Sequence, residues 1–297
     1  MFRSFKEMEE AVLGRGLKKR IALAGAHDED ALSAVVFAKR KQLVEAVLIG
    51  NVEIIKNLLR DMNEPEEDYD FIECYEETEA ANIAFTMVKN KEADVPMKGL
   101  MQTSSFMRAI LNKEKYGFVK DGDLLSQATV LETEGRLMII TDCAVNIAPS
   151  YTEKVKIVKN ALSLAKRLEI EKPNVAVITP VEVVNPNIQS TIDAAMLSKA
   201  GDRGQIKNCI IDGPLALDNA LSEEACKHKG IESPVAGKAD ILLVPDLCTG
   251  NVLTKALVHF ADIQSGGILL GTSVPVVMTS RSDKPENKFF AILSAVL

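Results

Sequence analysis

Residues 21–50, IALAGAHDEDALSAVVFAKRKQLVEAVLIG, contain the alternation of elements that decides the fold class. Two short runs, IALAGA (21–26) and AVLIG (46–50), are almost continuously apolar, as strands buried on both faces of a parallel sheet are. Between them, EDALSAVVFAKRKQL (29–43) has apolar residues at three- and four-residue spacing with charges in between, which predicts an amphipathic helix. The stretch therefore predicts a strand–helix–strand unit of a parallel sheet.

The same alternation continues along the chain. Further strand-like runs are LMIITDCAV (137–145), VAVITP (175–180), CIIDG (209–213), ILLVPD (241–246) and VPVVMTS (274–280). Further helical patterns are TEKVKIVKNALSLAKRLEI (152–170) and STIDAAMLSKAG (190–201). The chain of 297 residues is long enough for two domains of roughly 150 residues each. We therefore predict α/β domains with helices on both sides of open sheets, and a domain break near 141–150.

Composition excludes several classes of protein. The chain is 47% apolar and 26% charged, in the range of ordinary soluble globular proteins. A net charge of -7 argues against a nucleic-acid partner, because such proteins neutralise phosphates with basic patches. Five cysteines without CxxC spacing predict free thiols in a reducing cytoplasm. Neither an export signal nor a run long enough to span a bilayer is visible, so no membrane partner is expected.

Several catalytic motifs are missing. There is no GxGxxG after the first strand, no GxxxxGK[ST], no HExxH and no GxSxG. The histidines, at 27, 228 and 259, are not at metal-ligand spacing. These absences argue against NAD enzymes with the standard fingerprint, P-loop NTPases, zinc hydrolases and α/β-hydrolases, and no metal is expected.

The residues that follow the predicted strands are the first candidates for a site, because ligands of open α/β sheets bind beyond the carboxyl ends of the strands. Polar, Gly and Pro residues recur at these ends: Ala26-His27-Asp28, Asn146 to Pro149, Thr179-Pro180, Asp212-Gly213-Pro214, Pro245-Asp246 and Ser280-Arg281. Each of them can equally be a turn former or a helix cap. Their recurrence is better evidence for a binding cleft than any single one.

The segment MTSRSDK (278–284) is the sharpest of these candidates. Ser280 and Arg281 follow an apolar run, and a guanidinium offers a planar fork of donors that matches phosphate or carboxylate oxygens. The pair therefore predicts a site for a small oxyanion. The alternative is a surface turn with a solvated arginine.

Three weaker candidates surround it. In PDLCTGNVLTKAL (245–257), Asp246, Gly250, Asn251 and Lys255 suggest a glycine loop leading into a helix whose N-terminus could meet an anion. The alternative is an Asp cap with a glycine turn. Asp218, in IDGPLALDNALS (211–222), could be a general base or only a cap. Thr103 and Arg108, in MKGLMQTSSFMRAIL (97–111), could meet a phosphorylated cofactor or be parts of an exposed helix.

Taken in order, these segments resemble the phosphate acetyltransferase/phosphate butyryltransferase family. The resemblance rests on IALAGAHDEDALSAV, MKGLMQTSSFMRAIL, TDCAVNIAPSYTEKVKIVKNAL, TPVEVVNPNIQSTIDAAML, IDGPLALDNA, SPVAGKADILLVPDLCTGNVLTKAL and VMTSRSD. VNPNIQSTIDAAMLSKAGDRGQI followed by IDGPLALDNA is most similar to the phosphate butyryltransferase branch.

The resemblance implies transfer of a short acyl group, butyryl favoured, between coenzyme A and inorganic phosphate, giving acyl phosphate. It implies no permanently bound cofactor, and a homodimer or higher homo-oligomer. It also implies two three-layer αβα domains with a cleft between them, similar to isocitrate/isopropylmalate dehydrogenases. We place the first domain at residues 1–140 plus 266–297 and the second at 141–265.

The resemblance also implies roles for single residues. Ser280 and Arg281 match the family's Ser-Arg pair at the phosphate and acyl site, and Arg108 aligns with a basic residue implicated in CoA binding. The acetyltransferase branch has an aspartate as base for the CoA thiol, where this chain has Asn287. Candidates for the base are therefore Asp283, Glu286 and Asp218. Gln127 stands where relatives often carry a histidine.

Three alternatives to a phosphate butyryltransferase stay open at this point. The first is a phosphate acetyltransferase. The second is a dehydrogenase of the related fold, although neither its aspartate cluster nor a nucleotide loop is visible. The third is a CoA-binding protein without catalysis, since the expected aspartate is missing.

Overall fold

The computed structural model describes residues 1–16, 18–133 and 135–297. Its strands are β1 (Lys19–Ala24), β2 (Val44–Gly50), β3 (Asp70–Glu73), β4 (Val95–Lys98), β5 (Ser126–Thr133), β6 (Arg136–Thr141), β7 (Asn174–Ile178), β8 (Ile210–Leu215), β9 (Ile241–Leu243) and β10 (Ser265–Leu270). Its helices are α1 (Phe5–Gly14), α2 (Glu29–Arg40), α3 (Val52–Asp61), α4 (Glu77–Lys89), α5 (Thr103–Ile110), α6 (Tyr151–Arg167), α7 (Gln189–Asp202), α8 (Leu217–Leu221), α9 (Glu223–Lys229), α10 (Leu247–Ala261) and α11 (Pro285–Val296). The protein is thus a mixed α/β fold with parallel strands and helices, as the sequence predicts.

The chain divides into two compact units. The first unit comprises Phe5–Asp123 and Gln264–Leu297, and the second comprises Met1–Ser4 and Leu124–Ile263. The observed limit near 124 differs from the predicted limit at 140, because β5 pairs with β6 from Ala128 to Thr133. The two strands of this hairpin therefore lie in one unit.

The sheet of the first unit is parallel and four-stranded, in the order β3-β2-β1-β4. Ala24 is level with Ile49 of β2 and with Lys98 of β4, so the strands end at one edge. The first helix predicted from residues 21–50 is α2, which the Asp28 side chain caps by accepting from the amide of Ala31 at 3.1 Å.

The run VPVVMTS does not form the strand that its apolar character predicts. Val276 and Val277 make single bridges, with Leu269 and Met97, and the next residues leave the sheet. Pro275 lacks the amide that a longer ladder needs, which contributes to this interruption. The bridge between Val277 and Met97 is parallel, so both segments leave the sheet in the same direction.

The second unit holds five strands in the order β5-β6-β9-β7-β8. β6, β9, β7 and β8 are parallel to their neighbours, and β5 is antiparallel to β6. The core of this unit is formed by aliphatic side chains of these strands, among them Leu131, Ile140, Ala176, Leu215 and Leu242. Helix α6 begins with a capping box between Ser150 and Glu153, at the place where the sequence predicts a long helix.

Candidate active site

The carboxyl edge of the first unit's sheet brings together three segments that are distant in the sequence. β1 ends before His27 and Asp28, and β4 ends at Lys98. The Lys98 amide donates to the carbonyl oxygen of Val277 at 3.0 Å, so the segment leading to Ser280 leaves the sheet beside Lys98. This is the edge at which open α/β sheets bind ligands.

Two glycines allow the loops at this edge to cross. A Cβ on Gly99 would lie 2.3 Å from the carbonyl oxygen of Gly25, and a Cβ on Gly25 would lie 2.7 Å from that of Leu100. Gly25 also has a φ of +75°, which side chains rarely allow. The close crossing holds residues 25–28 against the segment that follows Lys98.

The loop that carries Ser280 and Arg281 is tied down by its own side chains. The Ser280 amide donates to Oδ2 of Asp283 at 2.8 Å, and Ser280 Oγ lies 3.1 Å from Ser282 Oγ. Lys288, which is 1% exposed, donates from Nζ to the carbonyl oxygens of Ser280 at 2.7 Å, Asp283 at 2.9 Å and Arg281 at 3.4 Å. The buried ammonium therefore fixes the backbone of the loop.

Arg281 itself is exposed on this fixed loop. In the part of the chain that the structure describes, its guanidinium forms neither an ion pair nor a hydrogen bond. A planar cation without an internal partner, on a rigid loop at a sheet edge, is suited to bind a phosphate or carboxylate group. The predicted residues Ser280, Arg281 and Asp283 thus lie on one loop. Asp283 stabilises the turn by accepting from the Ser280 amide.

Lys98 and Lys288 also lie at the candidate site. Lys98 belongs to the segment MKGLMQTSSFMRAIL (97–111), whose basic residues could meet a phosphorylated cofactor, but the sequence did not single it out, and it did not indicate Lys288. Lys98 is 3% exposed, and its Nζ donates to the carbonyl oxygens of Gly99 at 3.3 Å and Met101 at 3.4 Å. Burial lowers the pKa of its ammonium, and the neighbouring Arg281 and Lys288 lower it further, against the opposing effect of Asp28 and Asp283. The feature of the sequence that could have indicated Lys98 is its position at the end of the apolar strand β4.

Asn287 has a structural role. Its side chain is buried, and Oδ1 accepts a hydrogen bond from the amide of Ser265 at 3.2 Å, where β10 begins. A neutral carboxamide is not a base near neutral pH, so Asn287 cannot take over the role of the aspartate. Glu286, the neighbouring candidate, is exposed in the first turn of α11.

Thr103 and Arg108 lie on α5, in the first unit. Thr103 is the first residue of the helix and Arg108 lies in its last turn, and both are exposed. The two residues are therefore on one short element that follows β4, and the structure leaves their side chains accessible to a ligand.

The remaining candidates lie in the second unit, and here the predicted glycine loop is absent. β9 ends at Leu243 and α10 begins at Leu247, so Gly250, Asn251 and Lys255 are helical. Asp246 caps the helix by accepting from the Thr249 amide at 2.8 Å. A Cβ on Gly250 would lie 2.6 Å from the carbonyl oxygen of Asp142, so this glycine serves helix packing rather than a ligand's approach.

A cavity of about 860 Å³ opens beside Asp246 at the carboxyl ends of β7 and β9. It is lined by the first residues of α6 and α10, by Thr179 and Pro180, and by a buried ion pair of Lys154 and Asp193. Lys154 Nζ and Asp193 Oδ2 are 2.5 Å apart. Asn251 donates to the carbonyl oxygen of Cys143 at 3.4 Å, and Lys255 is exposed.

Asp218 is poorly placed for proton abstraction. It lies on α8, half-exposed, and forms an ion pair with Lys229 at 3.0 Å. The hydrogen bond from Lys229 lowers the pKa of the Asp218 carboxyl below its usual value. A carboxylate with a lowered pKa is a weaker base, so the geometry favours Asp218 as a surface residue.

Gln127 lies within β5 and is buried. Its Nε2 donates to the carbonyl oxygen of Ala128 at 3.1 Å and to Thr129 Oγ1 at 3.0 Å. The side chain is thus held inside the second unit's sheet. No cluster of His, Cys, Asp or Glu suited to a metal ion occurs among residues 1–16, 18–133 and 135–297, and none of the helices described there could cross a bilayer.

The family model and the most similar relatives and solved structures are phosphate acyltransferases. A family model described as phosphate acetyl/butaryl transferase matches residues 69–296. A phosphate butyryltransferase of Clostridium acetobutylicum is 46% identical over 299 residues, which cover 100% of this chain and 98% of the relative. A phosphate acetyltransferase of Thermotoga maritima is 43% identical, over 96% of this chain and 97% of the relative. A solved branched-chain phosphotransacylase from Enterococcus faecalis V583 has a TM-score of 0.82 at 32% identity, over 93% of this chain and 97% of its own.

Proposed function

Because the chain belongs to the phosphate acetyl/butaryl transferase family, we propose that it transfers a short-chain acyl group between coenzyme A and inorganic phosphate. The observation in the structure that supports this proposal most directly is the unpaired Arg281 guanidinium on a fixed loop beside the buried ammonium of Lys98. Two cations at one sheet edge, with no carboxylate bound to either in the described residues, suit a phosphate substrate.

The proposed reaction needs little beyond positioning and charge stabilisation. A phosphate oxygen attacks the thioester carbonyl carbon, a tetrahedral oxyanion forms, and the carbon–sulfur bond breaks. The acyl group leaves as acyl phosphate, and the CoA thiolate takes up a proton from water. Arg281 would hold the attacking phosphate, and Ser280 Oγ would donate to the oxyanion.

The reverse direction requires loss of the thiol proton, and Asn287 is not available for it. A thiol has a pKa of about 8.5, so a useful fraction is ionised near neutral pH without a strong base. Cations at the site would raise that fraction. We therefore propose that this chain relies on electrostatic activation of the thiol, with Asp283 and Glu286 as the remaining carboxylate candidates.

The acyl group is proposed to be butyryl, with acetyl as the alternative that the Thermotoga relative supports. The test is phosphate-dependent release of CoA from acetyl-, propionyl-, butyryl-, isobutyryl- and valeryl-CoA. We expect the highest kcat/KM with butyryl-CoA, about tenfold or more above acetyl-CoA, since each methylene contributes about 1–3 kcal/mol. A maximum at acetyl-CoA would support the alternative, and thiol release independent of phosphate would refute acyl transfer to phosphate.

Binding of CoA is proposed to involve Thr103 and Arg108 of the first unit, and Asp246, Asn251 and Lys255 of the second. Support comes from the exposure of Thr103 and Arg108 and from the cavity beside Asp246. The Lys154 and Asp193 side chains that line the cavity pair with each other, so the cavity suits an uncharged part of CoA better than its phosphates. Gly250 is withdrawn from this group because it packs against Asp142.

We further propose a homo-oligomer that covers one face of α10. This helix is apolar, yet only Gly250 among its residues is buried, and Phe260 is 92% exposed. Val252 of the same helix is also exposed. A second copy of the chain is the occupant that the family resemblance implies, and burial of a large aromatic side chain would stabilise such a contact.

Replacing Val252 and Phe260 together with aspartate is expected to weaken self-association about tenfold or more, since charge on an apolar contact must be desolvated. Sedimentation velocity over a range of protein concentrations would measure the change. The control is Ile54→Asp, at a half-exposed residue of α3 in the first unit. Equal sedimentation of the double variant and the wild type would place the contact elsewhere.

The cellular context remains our proposal as well. All five cysteines are free thiols in the structure, three of them buried, which supports a reducing cytoplasm. CoA is a substrate rather than a permanently bound cofactor in this scheme. The absence of nucleic-acid and membrane partners and the three-layer arrangement of each unit stay predictions.

A further inference from the structure

Lys98 is a buried cation beside Arg281 that has no stated role in the steps of the proposed reaction. It is the last residue of β4, and its amide bond to Val277 fixes it beside the segment that leads to Ser280 and Arg281. Only 3% of the residue is exposed. A lysine this deeply buried normally has a carboxylate partner.

The surroundings of Lys98 do not supply that partner. Its Nζ donates only to two carbonyl oxygens, of Gly99 and Met101, at the long distances of 3.3 and 3.4 Å. In the part of the chain that the structure describes, it forms no ion pair. Two carbonyl contacts leave one of the three N–H donors of the ammonium available.

Other cations lie near Lys98. Arg281 and Lys288 both repel its charge, and Asp28 and Asp283 attract it. Both carboxylates accept hydrogen bonds from backbone amides: Asp28 caps α2, and Asp283 accepts from the Ser280 amide. Of the two neighbouring cations, Lys288 donates hydrogen bonds to three carbonyl oxygens. The Arg281 guanidinium, by contrast, is exposed and has no hydrogen-bond or ion-pair partner among the described residues.

We infer that Lys98 is a second phosphate-binding residue of the active site, whose ammonium joins Arg281 in holding the oxygens of the phosphoryl group. The inference rests on the proposed function and assigns to this site a residue that is not among the site candidates singled out from the sequence. A dianion at this position would supply the counter-charge that Lys98 lacks. It would also offset the repulsion between Lys98 and Arg281, since each cation would face a negative oxygen.

In the protein without phosphate, Lys98 then lowers the free energy of unfolding. A buried ammonium without a carboxylate partner destabilises the folded chain, and the repulsion from Arg281 and Lys288 adds to this effect. Residues arranged for binding rather than for stability show this pattern. Removing the charge should therefore stabilise the unliganded protein and weaken phosphate binding in the same variant, which a merely structural lysine would not do.

The test compares Lys98→Met with the wild type in two measurements. The first is the thermal midpoint without phosphate and with saturating inorganic phosphate. We expect Lys98→Met to melt at or above the wild-type temperature without phosphate, and to lose more than half of the rise that phosphate produces. The second is steady-state kinetics of CoA release, in which we expect the KM for phosphate to rise about tenfold or more.

The KM for CoA distinguishes inorganic phosphate from the phosphate groups of CoA as the ligand of Lys98. If Lys98 binds the reacting phosphate, the KM for butyryl-CoA stays within about threefold of the wild-type value. A rise confined to the KM for butyryl-CoA would overturn the assignment. Lys98→Arg should keep most of the phosphate affinity, and keep it to higher pH, because a guanidinium stays charged where an ammonium of lowered pKa is deprotonated.

The matched control is Lys39→Met, at another lysine of the first unit that is only 16% exposed but forms an ion pair with Glu45. Its phosphate response should equal that of the wild type. A Lys98→Met variant with an unchanged phosphate KM and an unchanged phosphate-induced rise would refute the inference while leaving the proposed function intact. A wild-type protein without phosphate-dependent CoA release, yet stabilised by phosphate through Lys98, would refute the function and keep the anion site.

Discussion

Replacement of Arg281 with alanine is expected to lower phosphate-dependent CoA release by about 10³-fold or more. Removal of a single donor that stabilises transition-state charge costs about 10²- to 10³-fold, and the loss of the cation that positions the attacking phosphate adds to this effect. The fold should be unaffected, because in the described residues the guanidinium has no partner to lose. The Lys288 ammonium hydrogen-bonds to the backbone carbonyl oxygen of Arg281, which the alanine variant retains.

Steady-state kinetics at saturating butyryl-CoA with varied phosphate would measure this effect, alongside circular dichroism of the variant. Arg60→Ala is the matched control, because Arg60 is an exposed arginine of the first unit that pairs with Glu66 on the surface. Arg281→Lys should fall between the two, since an ammonium keeps the charge and loses the planar fork. Near-wild-type activity of Arg281→Ala would remove the loop from the active site.

The largest expected effect on stability belongs to Asp193→Ala in the second unit. Asp193 and Lys154 form an ion pair with only 7% and 6% of their side chains exposed. Removing the carboxylate leaves a buried ammonium without a counter-charge, which costs about 3–5 kcal/mol of unfolding free energy. Gln189 also loses the acceptor that its Nε2 contacts at 2.9 Å.

Urea unfolding followed by circular dichroism would measure the loss for Asp193→Ala. The control is Asp202→Ala, which breaks the exposed pair of Lys199 and Asp202 on the same helix and should cost at most about 0.5 kcal/mol. The double variant Lys154→Met with Asp193→Leu should recover most of the stability, because an apolar pair of similar volume replaces both charges. Equal losses in Asp193→Ala and Asp202→Ala would show that the ammonium reaches water.

Local patterns in the sequence were sufficient to predict much of the fold and to propose where the site lies. The alternation in residues 21–50 predicts β1, α2 and β2, because buried parallel strands and amphipathic helices differ in their hydrophobic period. The same pattern puts Ser280 and Arg281 beyond an apolar run. The run ends in single bridges instead of a long strand, yet it still leaves the sheet at the predicted edge.

Features that depend on contacts between distant residues could not be read in this way. Gly250 looks like a loop glycine, but its lack of a side chain is required by the carbonyl oxygen of Asp142 on another segment. The burial of Lys98 follows from the bridge between Met97 and Val277. From the sequence, Asp218 could be a general base or only a helix cap. Its ion pair with Lys229, a contact with a residue on another helix, favours a surface residue over a base.

The discontinuity of the first unit has a consequence for the order in which the protein is made. Translation completes Leu124–Ile263, nearly all of the second unit, before it reaches Gln264–Leu297. The nascent first unit therefore waits on the ribosome without Val277, Arg281 and α11 while its neighbour can already fold. Until those residues emerge, the Lys98 amide lacks its acceptor on Val277, so the proposed phosphate-binding edge forms late. Ribosome-bound chains that carry residues 1–263 followed by a linker that spans the exit tunnel should accordingly resist protease in the second unit and be cut in the first.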